Sequence, residues 1–293
     1  GEGARLYDTV TAVGRELCPE LGIAIPVGKD SMSMRAKWND DGQDAQVTSP
    51  LSLIVTAFAP VEDASATLTP QLRTDAGETD LWLIDLGFGR NRLGGSALGY
   101  VYNQLGHDAP NVDDAGALRE FFAVIQKLNA EGQLLAYHDR SDGGLWATLA
   151  EMAFAGRTGI DVDITDLGAD PIRALFAEEL GAVVQVATAD RGRFERAMAD
   201  AGLNACVHRL GQLRSDQRIR VRSGSASLID EGLLSLFADW IDTSHRIQSL
   251  RDNPSCADQE REWLLSANNR GLSASLTFDS SESREFAERP RVA

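Results

Sequence analysis

The chain has 293 residues, of which 43% are hydrophobic and 25% charged, proportions typical of a soluble globular protein. Its formal net charge of −16 excludes broad binding to a nucleic-acid backbone, which needs a basic face, but permits a local phosphate site built from backbone N–H groups and a metal. Three scattered cysteines predict no disulfide framework and therefore a reducing, cytoplasmic compartment, and no apolar run is long enough to span a membrane.

Residues 1–63 are predicted to contain one helix and two strands. Apolar residues recur at helical spacing over residues 6–17, and the stretches GIAIPVG (22–28) and SPLSLIVTAFAPV (49–61) have the apolar character of buried strands. These elements are too few to close a sheet, so we interpret them as the end of a truncated domain. The chain starts without methionine and ends at RVA (291–293), where a strand begins, and it is therefore expected to be a piece of a longer protein.

Residues 64–222 alternate between strand and helix patterns, which predicts a domain of the α/β class with mixed α+β character. The predicted strands are 80–87, 134–139, 160–164, 181–187, 207–213 and 218–224. One predicted helix follows a glycine-rich turn within residues 88–106. The other predicted helices span residues 115–131, 143–155, 172–180 and 191–202. After these, two amphipathic helices on either side of Pro254 and a strand at 272–279 predict a helical linker, residues 223–293.

The stretch LLAYHDRSDGGLWATLAEMAFAG (134–156) places polar residues between a strand and a helix. Ser141 or Asp142 could cap the helix, which accounts for one polar residue only. The successive glycines Gly143 and Gly144 would let a phosphate approach the N–H groups of a helix start. Asp139 and Ser141 would face the same side of an extended strand end. The Asp139 carboxylate could then coordinate Mg²⁺ together with phosphate oxygens. Capping alone and a phosphate–Mg²⁺ site both remain open from the pattern.

The stretch GKDSMSM (28–34) follows the predicted strand 22–28. Lys29 and Ser31 are candidates for nucleotide contacts, and Asp30 is a candidate metal ligand. The alternative is a surface turn, since the spacing of a P-loop is absent.

The stretch GRNRLGGSALG (89–99) has the general form of a phosphate-binding turn between a strand and a helix. Gly94, Gly95 and Ser96 are the candidates to cradle a phosphate. It lacks the pattern of a dinucleotide-binding turn, and the alternative is a tight strand-to-helix turn without a ligand.

Five stretches together resemble a known family. LYDTVTAVGRELCPELGIAIPVGKDSMSM, SPLSLIVTAFAPVEDA, LLAYHDRSDGGLWATLAEMAFAG, FAEELGAVVQV and IQSLRDNPSCADQE are similar to phosphoribosylformylglycinamidine synthase, also called formylglycinamide ribonucleotide amidotransferase, in its large single-chain form. The resemblance runs from about residue 4 to the end of the chain.

The resemblance implies a doubled aminoimidazole-ribonucleotide-synthetase fold. Residues 1–63 would end an N-terminal-type domain, 64–222 would form a C-terminal-type domain, and 223–293 would lead to a glutaminase domain. The implied reaction of purine biosynthesis converts formylglycinamide ribonucleotide, glutamine, water and ATP to formylglycinamidine ribonucleotide, glutamate, ADP and phosphate. The upstream synthetase half and the downstream glutaminase domain would be the partners, and the chain alone is expected to be inactive.

The same resemblance assigns roles to residues. Asp139 would be a Mg²⁺ ligand and Ser141 a contact to the nucleotide, ATP or ADP, while a glutamate and an asparagine upstream would supply the other metal ligands. Lys29, Asp30 and Ser31 would line the cleft between domains. In the doubled fold one nucleotide site is catalytic and the other auxiliary. The resemblance favours the auxiliary site for Asp139, but the sequence leaves both open.

Two rival interpretations remain. The chain could belong to another ATP-using synthetase of the same fold, such as selenophosphate synthetase or a thiamine-phosphate kinase, although the helix around IQSLRDNPSCADQE argues against these. It could instead be a non-catalytic scaffold half that holds an auxiliary nucleotide.

Overall fold

The computed structural model of the chain describes residues 2–29, 31, 34–61, 63–269, 271 and 275–277. The chain divides into two compact units, Gly1–Leu233 and Leu234–Ala293. The first unit contains a seven-stranded mixed sheet with helices, so the predicted mixed α/β class is confirmed. No helix in the described part of the chain is long and apolar enough to cross a membrane.

The first unit begins with a continuous helical stretch. Helix α1 (Glu2–Val10) passes through a π-helical segment (Thr11–Leu17) into α2 (Cys18–Leu21), which confirms the helix predicted over residues 6–17. The stretch ends at Gly22, whose φ of 73° is left-handed and favours glycine.

A β-hairpin follows that the sequence analysis missed. Strand β1 (Arg35–Asp40) pairs antiparallel with β2 (Gln43–Thr48), and the turn residues Asp41 and Gly42 have φ of 48° and 89°. An Asp-Gly pair suits the positive φ values of a type I′ turn, so the turn residues were the available signal.

The two strands predicted at 22–28 and 49–61 are wrong. Both segments lack regular secondary structure, and side chains such as Ile54 and Phe58 are 90% and 92% exposed. An apolar run forms a strand only where a neighbour takes up its backbone hydrogen bonds. Among the described residues, no strand pairs with either segment.

Seven strands form the central sheet. They are β3 (Thr79–Asp85), β4 (Ala136–Asp139), β5 (Gly159–Asp163), β6 (Gly181–Ala187), β7 (Val207–Arg214), β8 (Arg218–Ser223) and β9 (Ala226–Gly232). Their spatial order is β4-β6-β3-β7-β5-β8-β9, and neighbours are antiparallel except for the parallel pair β5 and β8. All six strands predicted between residues 80 and 224 are present, whereas β9 was missed.

Helices alternate with the strands of this sheet along the chain, and strand β3 is buried along its whole length. They are α3 (Ala97–Val101), α4 (Ala115–Ala130), α5 (Gly144–Gly156), α6 (Pro171–Phe176) and α7 (Arg191–Asp200). Residues of α4 and α7 form one core with Trp82, Ile84 and Val184 of the sheet. Helix α5 contacts β4, β6 and α6. This packing places the start of α5 directly beyond the end of β4.

The described part of the second unit contains two helices, α8 (Leu233–Arg251), which begins at the residue before the boundary, and α9 (Pro254–Leu264). Asn253 caps α9 by accepting from the Ser255 N–H, and Pro254 occupies the first turn, where a missing N–H costs nothing. His245 of α8 contacts Asp258 of α9 at 2.9 Å. The predicted helix break at Pro254 is therefore confirmed, while most of the strand predicted at 272–279 lies outside the described residues.

A buried carboxylate ties β3 to its surroundings. Asp80 is fully buried, and its two oxygens accept hydrogen bonds from Arg191 and Arg209 at 2.8–2.9 Å. Burial acts to raise the pKa of the Asp80 carboxyl, but the hydrogen bonds and charges of the two arginines outweigh it, so this pKa lies below its ordinary value.

The substitution Asp80→Asn is expected to destabilise the chain by about 2 kcal/mol at neutral pH, because it removes the negative charge that strengthens the hydrogen bonds from Arg191 and Arg209. A carboxyl with a lowered folded-state pKa contributes stability that is present above its unfolded pKa of about 3.9 and is lost as pH falls through the lower folded value. Urea unfolding should therefore show a difference in the free energy of unfolding between wild type and D80N, and this gap should shrink below pH ~4. A gap of constant size would contradict this assignment.

Candidate functional site

The turn between β4 and α5 holds the central candidates. Strand β4 ends at Asp139, and α5 begins at Gly144, directly after Gly143; the φ values of Gly143 and Gly144 are 81° and 65°. Neither Ser141 nor Asp142 caps the helix, so the predicted side-chain cap is wrong. The Gly143 N–H instead donates to Glu178 Oε1 at 2.8 Å.

The turn presents alternate residues to opposite sides. Asp139 and Ser141 are exposed, whereas Arg140 between them is 4% exposed. Arg140 donates through Nε to the Glu179 carbonyl at 2.8 Å, and through Nη2 to the Leu180 carbonyl at 2.9 Å and to Asp85 Oδ1. Asp139 and Ser141 thus lie on the open side of a turn whose middle residue is anchored in the protein.

His138 lies directly before the turn. Its Nε2 contacts Glu151 Oε2 at 2.8 Å, and its Nδ1 lies 3.6 Å from Asp139 Oδ1. Because successive side chains of a strand point to opposite faces, the His138 side chain would be expected to point away from Asp139. The proximity to the Asp139 carboxylate differs from that expectation, whereas the link to α5 through Glu151 is structural.

The glycine-rich turn before α3 uses its N–H groups internally. The N–H groups of Gly94 and Gly95 donate to the carbonyls of Asp108 and Leu105, each at 2.7 Å, and that of Ser96 to the Leu93 carbonyl at 3.2 Å. Ser96 Oγ accepts from the Gly99 N–H at 3.2 Å. A phosphate bound here would have to compete with these hydrogen bonds.

Two adjacent acidic residues bring the two turns together, and sequence reasoning missed them as site residues. Glu178 Oε1 accepts from the N–H groups of both Ala97 and Gly143 at 2.8 Å. Glu179 is fully buried and accepts from the main-chain N–H, Nε and Nη2 of Arg92 at 2.7–2.9 Å. The available signal was two carboxylates between a helix and a buried strand.

The Arg92 guanidinium remains charged in this setting. Hydrogen bonds to Glu179, and also to Asp113 at 2.7 Å, raise the pKa of Arg92 further above its ordinary value despite burial. Asp113 also pairs with Arg90 at 2.7 Å. The base of the glycine-rich turn is therefore held by a network of paired ions rather than by free charges.

A cavity of about 130 Å³ lies near the site but is distinct from it. Its lining includes Asp85, Arg140 and His208, but neither Asp139 nor Ser141. The side chains predicted to contact a metal and a nucleotide therefore face an open surface.

The predicted residues of the N-terminal segment are not joined to this turn by the described hydrogen bonds. Lys29 Nζ donates to Ser31 Oγ at 2.8 Å, and both residues are exposed. Asp30 lies outside the described residues. The structure thus brings Asp139, Ser141, Gly143 and Gly144 near the 94–97 turn through Glu178, and pairs Lys29 with Ser31 separately.

The residues at the turn fit a partial metal site. No group of three or more His, Cys, Asp or Glu side chains that could hold a metal ion occurs among the residues the structure describes. Mg²⁺ needs fewer protein ligands, since it keeps several waters and takes one or two carboxylates together with phosphate oxygens. The exposed carboxylate of Asp139 fits such a single contribution.

Two family models match the chain. The FGAR-AT PurM_N-like domain matches residues 1–60, and the C-terminal domain of AIR synthase related proteins matches residues 82–224. The second range takes in every strand from β4 to β8, most of β3, and both glycine turns.

Solved structures that are similar to the chain include three from Thermotoga maritima and Escherichia coli. Thermotoga maritima PurL complexed with FGAR has 12% identity and a TM-score of 0.48, covering 66% of this chain and 30% of that one. The PurLQS structure from the same organism has 12% identity and a TM-score of 0.46, covering 58% and 27%. Escherichia coli HypE, a hydrogenase maturation protein, has 18% identity and a TM-score of 0.41, covering 57% and 52%.

The chain thus spans 27% to 30% of the length of these Thermotoga maritima chains. The order of the two matched domains agrees with the order that the sequence motifs predicted. The chain therefore carries a segment that matches the FGAR-AT PurM_N-like domain, followed by a domain that matches the C-terminal domain of AIR synthase related proteins.

Proposed function

We propose that this chain forms part of an ATP-dependent formylglycinamide ribonucleotide amidotransferase of purine biosynthesis. The whole protein would convert formylglycinamide ribonucleotide, glutamine and ATP to formylglycinamidine ribonucleotide, glutamate, ADP and phosphate. Because the chain spans only 27% to 30% of the similar Thermotoga maritima chains, this activity is proposed for the whole protein and not for the chain by itself. The matched ranges support a division near residues 1–63, 64–222 and 223–293.

The geometry of the β4–α5 turn carries the proposal for this chain's own role. Asp139 and Ser141 are exposed on one side, and the buried Arg140 between them fixes the backbone that presents them. Asp139 would contribute one carboxylate to a Mg²⁺–nucleotide, and Ser141 would donate to a phosphate oxygen. When bound, Mg²⁺ would offset the negative charge of the phosphate oxygens.

The N-terminal segment and the glycine turn have lesser parts in this proposal. Lys29, Asp30 and Ser31 would line the cleft toward the ribonucleotide substrate. Gly94, Gly95 and Ser96 would shape the site by allowing close approach of the backbone, since their N–H groups are already donated within the chain.

A specific observation favours a second candidate, a scaffold half that holds an auxiliary nucleotide. The N–H groups of Gly94, Gly95, Ser96 and Gly143 all have acceptors in the protein, so these amides are not arranged to stabilise developing charge on a transferring phosphoryl group. The two candidates differ in whether the nucleotide at Asp139 exchanges during turnover, which isotope exchange with labelled ADP in the whole enzyme measures.

Calorimetric titration of the chain with Mg·ADP tests the proposed site. Asp139→Ala is expected to weaken binding at least about tenfold, equivalent to about 1.4 kcal/mol. Asp142→Ala is the matched control, because it removes the same charge from an exposed position of the same turn, and it should leave the affinity within about threefold. Equal affinity in all three proteins would contradict a metal role for Asp139.

A further inference from the structure

A four-residue segment, Glu178–Gly181, holds both glycine turns from one side. Its first two side chains accept from Ala97, Gly143 and Arg92, as described above. Its carbonyls accept from Arg140, with Nε bonded to Glu179, Nη2 to Leu180 and the main-chain N–H to Gly181 at 2.8–2.9 Å. We call residues 178–181 the bracket segment. The two turns are therefore aligned by a common support rather than by direct contact alone.

Glu178 has a distinct part in this support. A single oxygen, Oε1, receives two N–H groups that belong to different turns and lie 46 residues apart in sequence, at 97 and 143. Glu179, in contrast, is fully buried and neutralises Arg92. Glu178 is only partly buried. Its two hydrogen bonds therefore link the turns, and its charge needs no ion-pair partner to offset a cost of burial.

The β4–α5 turn is anchored at two points. Arg140 is fixed by the bracket carbonyls and by Asp85, and Gly143 is fixed by Glu178. Ser141 and Asp142 lie between these points, and no side-chain hydrogen bond of either is described. The conformation of the segment that carries Ser141 therefore depends on the anchor at each end.

We propose that Glu178 is a positioning residue of the nucleotide site, which holds the start of α5 in register with the glycine-rich turn and so fixes the backbone of Ser141. This inference rests on the proposed function, because it assumes that the nucleotide contacts Ser141. The chemical requirement is an acceptor oxygen at the end of a side chain of this length, and not a negative charge. Glutamine meets that requirement, and alanine does not.

The test is calorimetric titration of the 293-residue chain with Mg·ADP in wild type, Glu178→Gln and Glu178→Ala, at a temperature where unfolding curves show all variants folded. E178A is expected to bind at least about tenfold more weakly, and E178Q within about threefold of wild type, because the amide oxygen still accepts both N–H groups. Glu195→Ala, an exposed position on α7, is the control. Amide hydrogen exchange should be faster at Ala97 and Gly143 in E178A only.

Each result has a single meaning. If wild type binds and E178A binds equally well, the positioning role is overturned while the proposed function stands. If E178Q is as weak as E178A, charge rather than positioning matters, and the inference is also overturned. If wild type and all variants fail to bind Mg·ADP, the nucleotide site proposed for this chain at Asp139 and Ser141 is overturned and the inference with it. If Glu178 had a purely structural role, E178A would be less stable than wild type, and the glutamine of E178Q would not restore the affinity for Mg·ADP.

Discussion

Replacement of Arg140 by methionine is expected to lower the free energy of unfolding by about 3–5 kcal/mol. Methionine fills a similar volume but leaves Asp85, which is 3% exposed, without its guanidinium partner, and removing one member of a buried ion pair costs about this much. The carbonyls of Glu179 and Leu180 also lose their donors. Urea unfolding of wild type and R140M at pH 7 measures the loss.

A matched control separates burial from the chemistry of the substitution. Arg73 pairs with Asp75 at 2.7 Å, but both side chains are more than half exposed, so Arg73→Met should cost no more than about 1 kcal/mol. Adding Asp85→Asn to R140M should recover part of the stability, because it removes the uncompensated charge and keeps a side-chain acceptor for one of the two N–H groups, those of Gly87 and Gly89, that donate to Asp85. A loss of similar size at both arginines would contradict the assignment.

Two of the strands that the sequence predicted are buried on both sides. Strand β3 is buried along all seven residues and β6 through its middle, and both are predominantly apolar in sequence. Strand β9 was missed because its side chains are mostly exposed and it lies at the edge of the sheet. Pairing of its Asp230 with Arg218 at 2.6 Å depends on contact across strands, which a linear pattern does not reveal.

The helix 115–131 shows how far periodicity reaches. Phe121, Ile125 and Leu128 are buried as the apolar stripe predicts, whereas the adjacent Phe122 is 64% exposed. Two successive aromatic residues cannot both face the sheet from one helix, because neighbouring positions differ by about 100° around its axis. The spacing therefore identifies the helix and its buried face, whereas a pair of adjacent aromatic residues leaves one of the two on the exposed side.

The candidate site was predictable in its location and less so in its contacts. The glycines at 143–144 and the exposed side of Asp139 and Ser141 follow from the local pattern of a strand end before a helix. The acceptor for the Gly143 N–H lies 35 residues away in Glu178, so no local pattern could identify it as the replacement for a side-chain cap. Likewise, the acceptors of Gly94 and Gly95 are carbonyls of the following loop, whose course the sequence does not specify.

Replacement of Gly144 by alanine is expected to lower the free energy of unfolding by about 3 kcal/mol and to weaken Mg·ADP binding. Its φ of 65° is left-handed, and an added Cβ would lie 2.8 Å from the carbonyl oxygens of Leu175 and Ala177. The left-handed conformation costs about 1–2 kcal/mol for alanine, and overpacking against backbone adds about 1–3 kcal/mol. Relief of the clash would move the start of α5 away from residues 175–177, which directly precede Glu178.

Gly132 provides the control, because its φ is also 65° but nothing lies within 4 Å of an added Cβ. Gly132→Ala carries the conformational cost without the clash, so its expected loss is about 1 kcal/mol and its affinity for Mg·ADP should be that of wild type. The difference between the two variants in urea unfolding measures the contact between α5 and the end of α6. Equal losses would show that the backbone conformation alone requires glycine at position 144, and that the close approach of the two segments contributes nothing to stability.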